Sequence, residues 1–252
     1  MHLEEFAEGR SFFHGMDPRA KIIAATPYIF ITALAVSMKA ATAALTVSVV
    51  MAAFARLDRR ALFNRLKIIN VFVLFLWVVI PFSYLGDTGR VVFRMGPLAA
   101  THEGFLFVLL ITMKTNAVAL ATISLLGTSE VFSLAHALVH LRVPKKLVYL
   151  FFFFYRYISV MHEEYLRLRR AMTLRSFKPG TNIHTYRSYA YLIGMLLVRS
   201  FERSERIYRA MLARGFQGKF PVMRHFHLHV TDVVFAAAMM AVAGGLGWWG
   251  YY

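Results

Sequence analysis

Arg170-Ala171-Met172-Thr173-Leu174-Arg175-Ser176-Phe177 and Arg209-Ala210-Met211-Leu212-Ala213-Arg214-Gly215-Phe216 are one phrase written twice, R-A-M-x-x-R-[SG]-F, 39 residues apart. Each closes a segment with helical periodicity. Before the first, Tyr157, Met161, Tyr165, Leu168 and Met172 recur at spacings of 4, 4, 3 and 4, which is a single helical face. Before the second, Phe201, Ser204, Tyr208 and Met211 make a similar stripe. Pro144 suits a first helical position, and Ser176-Phe177-Lys178-Pro179-Gly180 is a stop. Gly215 stands where a left-handed cap is wanted. Glu163–Arg167, Glu202–Arg206 and Glu205–Arg209 are spaced as i,i+4 ion pairs. Two helices are therefore expected, over about 144–176 and 186–214, each roughly 45 Å long and ending in an arginine. A cation at a helix C-terminus commonly does no more than offset the local dipole. That accounts for one arginine, not for eight residues repeated.

Around this stretch the composition is that of a membrane protein. Hydrophobic residues make up 58% of the 252 and charged residues 17%, and the mean hydropathy is +0.54. There is no cysteine, which excludes disulfides and thiolate metal sites. Residues 1–16 carry Glu4, Glu5 and Glu8 and no apolar run, so no cleavable signal is expected. Asp17 as N-cap and Pro18 at N1 start a first span from about Ala20 to Ser37, and an alanine-rich second span covers Ala41 to Ala55. A third covers Ile68 to Leu85 and a fourth Gly104 to Leu126, with 86–103 as a loop between them. The fourth carries Lys114 and Asn116 near its middle, where lipid would make them costly, so both are expected to face protein. A short helix opens at Thr128-Ser129-Glu130, and a final span begins near Val233. The aromatic run Leu147 to Phe154 reads as the start of the first long helix, with a further span as the alternative.

Charge supplies a topology. Lys and Arg number 17 in 142–229 and 5 in 56–67, whereas 38–40 and 86–104 together hold 3. The positive-inside rule puts the N-terminus, the 56–67 loop and 128–229 in the cytoplasm, and the C-terminus outside after five spans. The net charge of +16 is thus a topological signal. Nucleic-acid binding is the weaker reading, since no aromatic-and-basic module accompanies it.

Other constellations carry little. His225, His227 and His229 alternate, and His136 and His140 are four apart, but neither set sits in a metal-site pattern. Glu163 and Glu164 point to different helix faces. Neither a G-x-x-x-x-G-K-[ST] loop nor a G-x-S-x-G elbow occurs, so neither ATP binding of that kind nor catalysis is expected of this chain.

Three stretches resemble a known family. They are Ser11 to Lys21 with Asp17-Pro18-Arg19, then Arg142-Val143-Pro144-Lys145-Lys146 followed by Tyr155-Arg156-Tyr157, and finally Arg199-Ser200-Phe201-Glu202-Arg203 through Ala213-Arg214-Gly215-Phe216-Gln217-Gly218. They are similar to the transmembrane T component of energy-coupling factor (ECF) transporters, in the branch of the cobalt-transport subunit CbiQ. The resemblance implies two cytoplasmic coupling helices, each ending in an x-Arg-x motif that docks on one of two ABC-type ATPase subunits. Leu174-Arg175-Ser176 and Ala213-Arg214-Gly215 match those motifs, Leu174 departing from the usual alanine. It also implies a membrane substrate-binding S component, a small accessory membrane subunit in some systems, ATP and Mg on the partners only, and cobalt or nickel as cargo. A T component for a vitamin-specific S component is the alternative within the class. A basic membrane anchor for nucleic acid or anionic lipid is the alternative outside it. The expectation is an all-α chain: membrane helices over 1–127, a cytoplasmic coupling domain over 128–229, and a last membrane helix over 230–252. The bilayer is its solvent, and no metal site is expected in it.

Overall fold

The computed structural model of the chain describes residues 6, 9, 11–83, 91–95, 98–141, 143–218 and 229–251. Eight α-helices follow a short 3-10 turn at Phe13–Gly15: α1 (Pro18–Leu34), α2 (Met38–Ala55), α3 (Arg59–Ser83), α4 (His102–Leu125), α5 (Val131–His140), α6 (Lys145–Leu174), α7 (Ile183–Ala213) and α8 (Val230–Tyr251). The chain is an all-α polytopic membrane protein. The connection between α3 and α4, expected as a loop, holds a two-stranded antiparallel ribbon, β1 (Val91–Met95) and β2 (Leu98–Thr101). It is local to that turn and takes no part in a larger sheet.

Of the five expected spans, α2, α3, α4 and α8 are long and apolar enough to cross a membrane. α1 has 17 residues, about 25 Å, against a hydrocarbon layer of about 30 Å. Its start is set as the residues require. The Asp17 carboxylate accepts a hydrogen bond from the Arg19 N–H at 2.8 Å, and Pro18 occupies the first turn.

The chain divides into two compact units. One comprises His2–Val143 with Phe226–Tyr252, the other Pro144–His225. α5 belongs to the first of these units, where it packs against α1.

The first unit is a bundle built on small side chains. Ala24, Ala25, Ala44, Ala55, Ala117, Ala121 and Ala243 are all buried in one core with Tyr28, Leu125 and Met239. Small residues let helix backbones approach closely, which is how helices associate where lipid removes the hydrophobic driving force. Tyr28 spends its hydroxyl on the same joint, donating to the Ala44 carbonyl at 2.6 Å and lying 2.8 Å from Ser48 Oγ. At Gly104 the approach of α3 and α4 is close, since an added Cβ would stand 2.8 Å from the Pro81 Cα and bring the two helices into collision. α3 is the least enclosed member, and polar contacts hold it to α4. Asn70 and Asn116 exchange amide hydrogen bonds of 2.9 and 3.0 Å, and Trp77 Nε1 donates to Thr112 Oγ1 at 3.0 Å.

Candidate functional site

Both copies of the repeated phrase end in the same backbone structure. Arg175 and Arg214 are the last near-helical residues, with φ/ψ of −87/22 and −90/10. The next residue is left-handed in each case, Ser176 at φ 61 and Gly215 at φ 80. Phe177 N–H then donates to the Met172 carbonyl at 3.1 Å, and Phe216 N–H to the Met211 carbonyl at 3.0 Å. Ser176 N–H reaches the Thr173 carbonyl at 3.0 Å, and Gly215 N–H the Leu212 carbonyl at 2.9 Å. This 6→1, 5→2 pair of bonds is the Schellman cap. The left-handed turn was legible at Gly215. It was not at Ser176, because serine usually avoids that region.

The cap bears on what the arginines are for. The Met172, Thr173, Met211 and Leu212 carbonyls are satisfied by backbone N–H groups and not by a guanidinium. Arg175 and Arg214 are exposed, and neither side chain forms a hydrogen bond or ion pair with any described residue. Leu174 beside Arg175 is 87% exposed, a large apolar side chain presented to solvent next to a charge.

The two phenylalanines that close the phrases turn inward. Phe177 packs edge-on to Tyr189 of α7, ring centroids 5.8 Å apart. Phe216 lines an open apolar groove of about 890 Å³ between α6 and α7, with Phe153, Tyr157, Met161, Phe201 and Met211. The second expected stripe (Phe201, Ser204, Tyr208, Met211) lies wholly on a wall of this groove, and the first reaches it through Tyr157 and Met161. α7 starts at Ile183, three residues earlier than expected, because Asn182 caps it by accepting from the Thr185 N–H at 2.8 Å.

One carboxylate joins the two long helices. Glu164, 4% exposed, accepts hydrogen bonds from Arg199 of α7 and, at 3.1 Å, from Arg167 of its own helix. The expected Glu163–Arg167 pair is therefore corrected to Glu164–Arg167, and the i,i+4 rule missed the residue that bridges the helices. The Arg199 hydrogen bond, followed by the charges of Arg199, Arg167 and Arg203, outweighs burial and holds the Glu164 carboxyl below its ordinary value. Glu205–Arg209 at 2.6 Å and Glu202–Arg206 at 3.9 Å form as spaced.

In the other unit, Asp17-Pro18-Arg19 opens a buried polar knot. Lys21, fully buried, donates to Thr128 Oγ1 at 3.2 Å and Ser129 Oγ at 2.5 Å, and the charges of Asp232 and Asp17 act on it. Asp232 also accepts from the His229 N–H at 3.1 Å, capping α8. The knot gathers the start of α1, the end of α4 and the start of α8 on one side of the bundle. At the far end, Gly250 of α8 lies against Ala35, in the turn between α1 and α2. These relative directions agree with the alternation of spans expected from charge.

Of the polar pair in α4, Asn116 faces protein. Lys114 is half-buried and makes no hydrogen bond or ion pair with any described residue. His136 and His140 stack edge-on at 5.1 Å. His225 and His227 lie outside the described residues. Among the described residues no group of three His, Cys, Asp or Glu is placed to hold a metal ion.

Apolar helices of spanning length, on one chain with two matched helices ending in exposed arginines, define a polytopic membrane protein with a repeated helix end. Residues 9–225 match the family described as cobalt transport protein, CbiQ. The chain belongs to that family, which makes it a transmembrane T component of ECF transporters. It is similar to the energy-coupling factor transporter transmembrane protein EcfT of Brevibacillus brevis, with 25% identity over 97% of this chain and 96% of the relative. The EcfT 1 of Listeria monocytogenes shows the same identity and coverage. The EcfT of Streptococcus equi subsp. equi is 26% identical over 86% of this chain and 83% of its own length.

Proposed function

We propose that this chain is the non-catalytic coupling subunit that links ATP hydrolysis on two ABC-type ATPase subunits to uptake of cobalt or nickel ions through a membrane substrate-binding subunit. Leu174-Arg175-Ser176 and Ala213-Arg214-Gly215 are its two docking ends, one for each ATPase. The observation that carries this reading is the pair of matched caps, which present two exposed arginines that pair with no described residue and make no side-chain cap of their own helix. The groove between α6 and α7 supports it, since helices meant to transmit motion need an apolar face to grip a partner. ATP and Mg belong to the ATPases, and the transported ion to the substrate-binding subunit. The family's description favours cobalt. The relatives' printed name specifies no cargo, which keeps a vitamin-specific partner as the second reading. In this assignment α1 is the fifth crossing, the polar knot faces the cytoplasm with 56–67 and α5 to α7, and the end of α8 lies outside.

Charge reversal tests the docking ends. An arginine that only offsets its helix dipole is worth roughly 0.3–1 kcal/mol, whereas reversing one paired with an acidic groove costs roughly 2–5 kcal/mol. Arg175→Glu and Arg214→Glu are expected to insert normally yet recover less ATPase in pull-downs, with coupled metal uptake abolished in the double variant. Arg→Lys should be milder, because lysine lacks the planar fork. Arg170→Glu, a turn earlier, is the control that should be tolerated. Wild-type ATPase recovery by both single reversals would reduce the phrases to helix caps. Salt-sensitive nucleic-acid retention in place of ATPases would favour a basic anchor.

A further inference from the structure

Lys114 is the thirteenth residue of α4, about 18 Å from one end of that helix and about 16 Å from the other. A lysine side chain is far too short to carry its ammonium over either distance to the headgroups, so the usual escape of a membrane cation is closed. The side chain also points away from the polar seam of the bundle. Thr112 and Asn116, two residues to either side, serve the α3 joint, and a helix turns by about 200° over two residues.

Lys114 instead shares a face with Ala117, Ala121 and Leu125, all sealed in the core. About two turns toward the helix N-terminus that side of α4 emerges, with Leu106 45% and Phe107 43% exposed. Lys114 is half-buried, and an exposed apolar surface lies about 11 Å from it along the same helix. Its charge has no counterpart among the described residues, and an acyl chain offers none.

A second copy of this chain cannot supply one. In α1, α2, α3, α4 and α8 the acidic residues are Glu103 and Asp232, both in the first turn of their helices. Asp232 is moreover buried in the polar knot.

We infer that Lys114 is an intramembrane docking point for a transmembrane helix of a different polypeptide, one that carries an Asp or Glu about halfway along its length. The partner helix packs on the Leu106–Phe107 surface and pairs its carboxylate with the Lys114 ammonium, each charge relieving the other's cost in lipid. This goes beyond the coupling role but rests on it for the existence of a membrane partner.

The test uses the assembled transporter, with the substrate-binding membrane subunit tagged and the ATPases present. Lys114→Met keeps the length of the side chain and removes its charge. Because it makes α4 more apolar, insertion should not suffer, and ATPase recovery by this chain reports that it is folded. Lys114→Met is expected to lower recovery of the membrane subunit about tenfold with ATPase recovery unchanged, and Lys114→Arg to retain most of it. Lys114→Glu should lose the subunit, and replacing one mid-membrane Asp or Glu of that subunit by Lys should restore it. Wild-type recovery with Lys114→Met overturns the inference, as does aqueous thiol labelling of Lys114→Cys in the complex, which would mean a water-filled lining. Failure of the wild-type chain to hold any membrane subunit would instead count against the coupling role itself.

Discussion

The bundle and the pair of long helices solve opposite problems. In the bundle, alanines bring backbones together, and a buried lysine is surrounded by hydroxyls and carboxylates from three helix ends. In the pair, helices of 30 and 31 residues bury two side chains each: Val148 and Glu164 in α6, Thr185 and Leu192 in α7. Leu150, Phe154, Leu197 and Phe201 stay exposed. Exposed apolar side chains in the bundle, as along α3 with Phe63, Ile68 and Phe72, suit a lipid solvent, whereas those of the pair line an open groove that fits the proposed role of a surface completed by other chains. The comparison sets stability, which resides in the bundle, against the proposed coupling, which rests on the pair.

The largest effect should come from breaking the bundle's polar knot. Lys21→Met takes from the buried Thr128 and Ser129 hydroxyls the ammonium that donates to them and is expected to cost about 2 kcal/mol, read as a lower unfolding midpoint of the purified chain in detergent. Removing a comparable cation from the pair, as in Arg206→Met, should cost at most about 0.5 kcal/mol, as exposed pairs do.

A second, intermediate effect lies at the joint of the pair. Glu164→Gln should leave the unfolding midpoint close to wild type but reduce coupled uptake several-fold, because α6 and α7 lose their fixed relation. The carboxyl is held below its ordinary value when folded. The pairing is therefore complete above the ordinary carboxylate range of about pH 4 and is lost as the pH falls through the lowered value. Spin labels on cysteines placed in α6 and α7 of this cysteine-free chain should report loosening in acid, and Glu164→Gln should abolish that pH dependence. Loosening of the wild type between pH 8 and pH 6 would assign the joint to some other group.

The smallest effect distinguishes the two helix ends. Gly215→Ser is expected to weaken its cap by about 1 kcal/mol, and Ser176→Gly to strengthen its own by a similar amount, since only glycine adopts the left-handed turn freely. Hydrogen exchange at the Phe177 and Phe216 amides would register both changes.

Much of this was legible in the residues. Asp17-Pro18 announced a helix start, and the duplicated phrase announced two helix ends. What escaped was set by neighbours distant in the chain. Glu163 and Glu164 are equivalent in local spacing, and only the placement of Arg199 on another helix selects Glu164. Lys114 and Asn116 are two residues apart on one apolar helix, so hydropathy treats them alike. The position of α3 decides that one is paired and the other is not. The ribbon at 91–101 escaped because its strands are short, five and four residues.

The backbone caps on α6 and α7 have one more consequence. Because Phe177, Ser176, Phe216 and Gly215 close those helices with main-chain groups, the residue at 175 or 214 owes its own helix no capping bond, only a dipole contribution of about 0.3–1 kcal/mol. A lesion at either position would be silent in expression, in insertion and in the spectrum of the purified chain. It would declare itself only once the partner subunits are added.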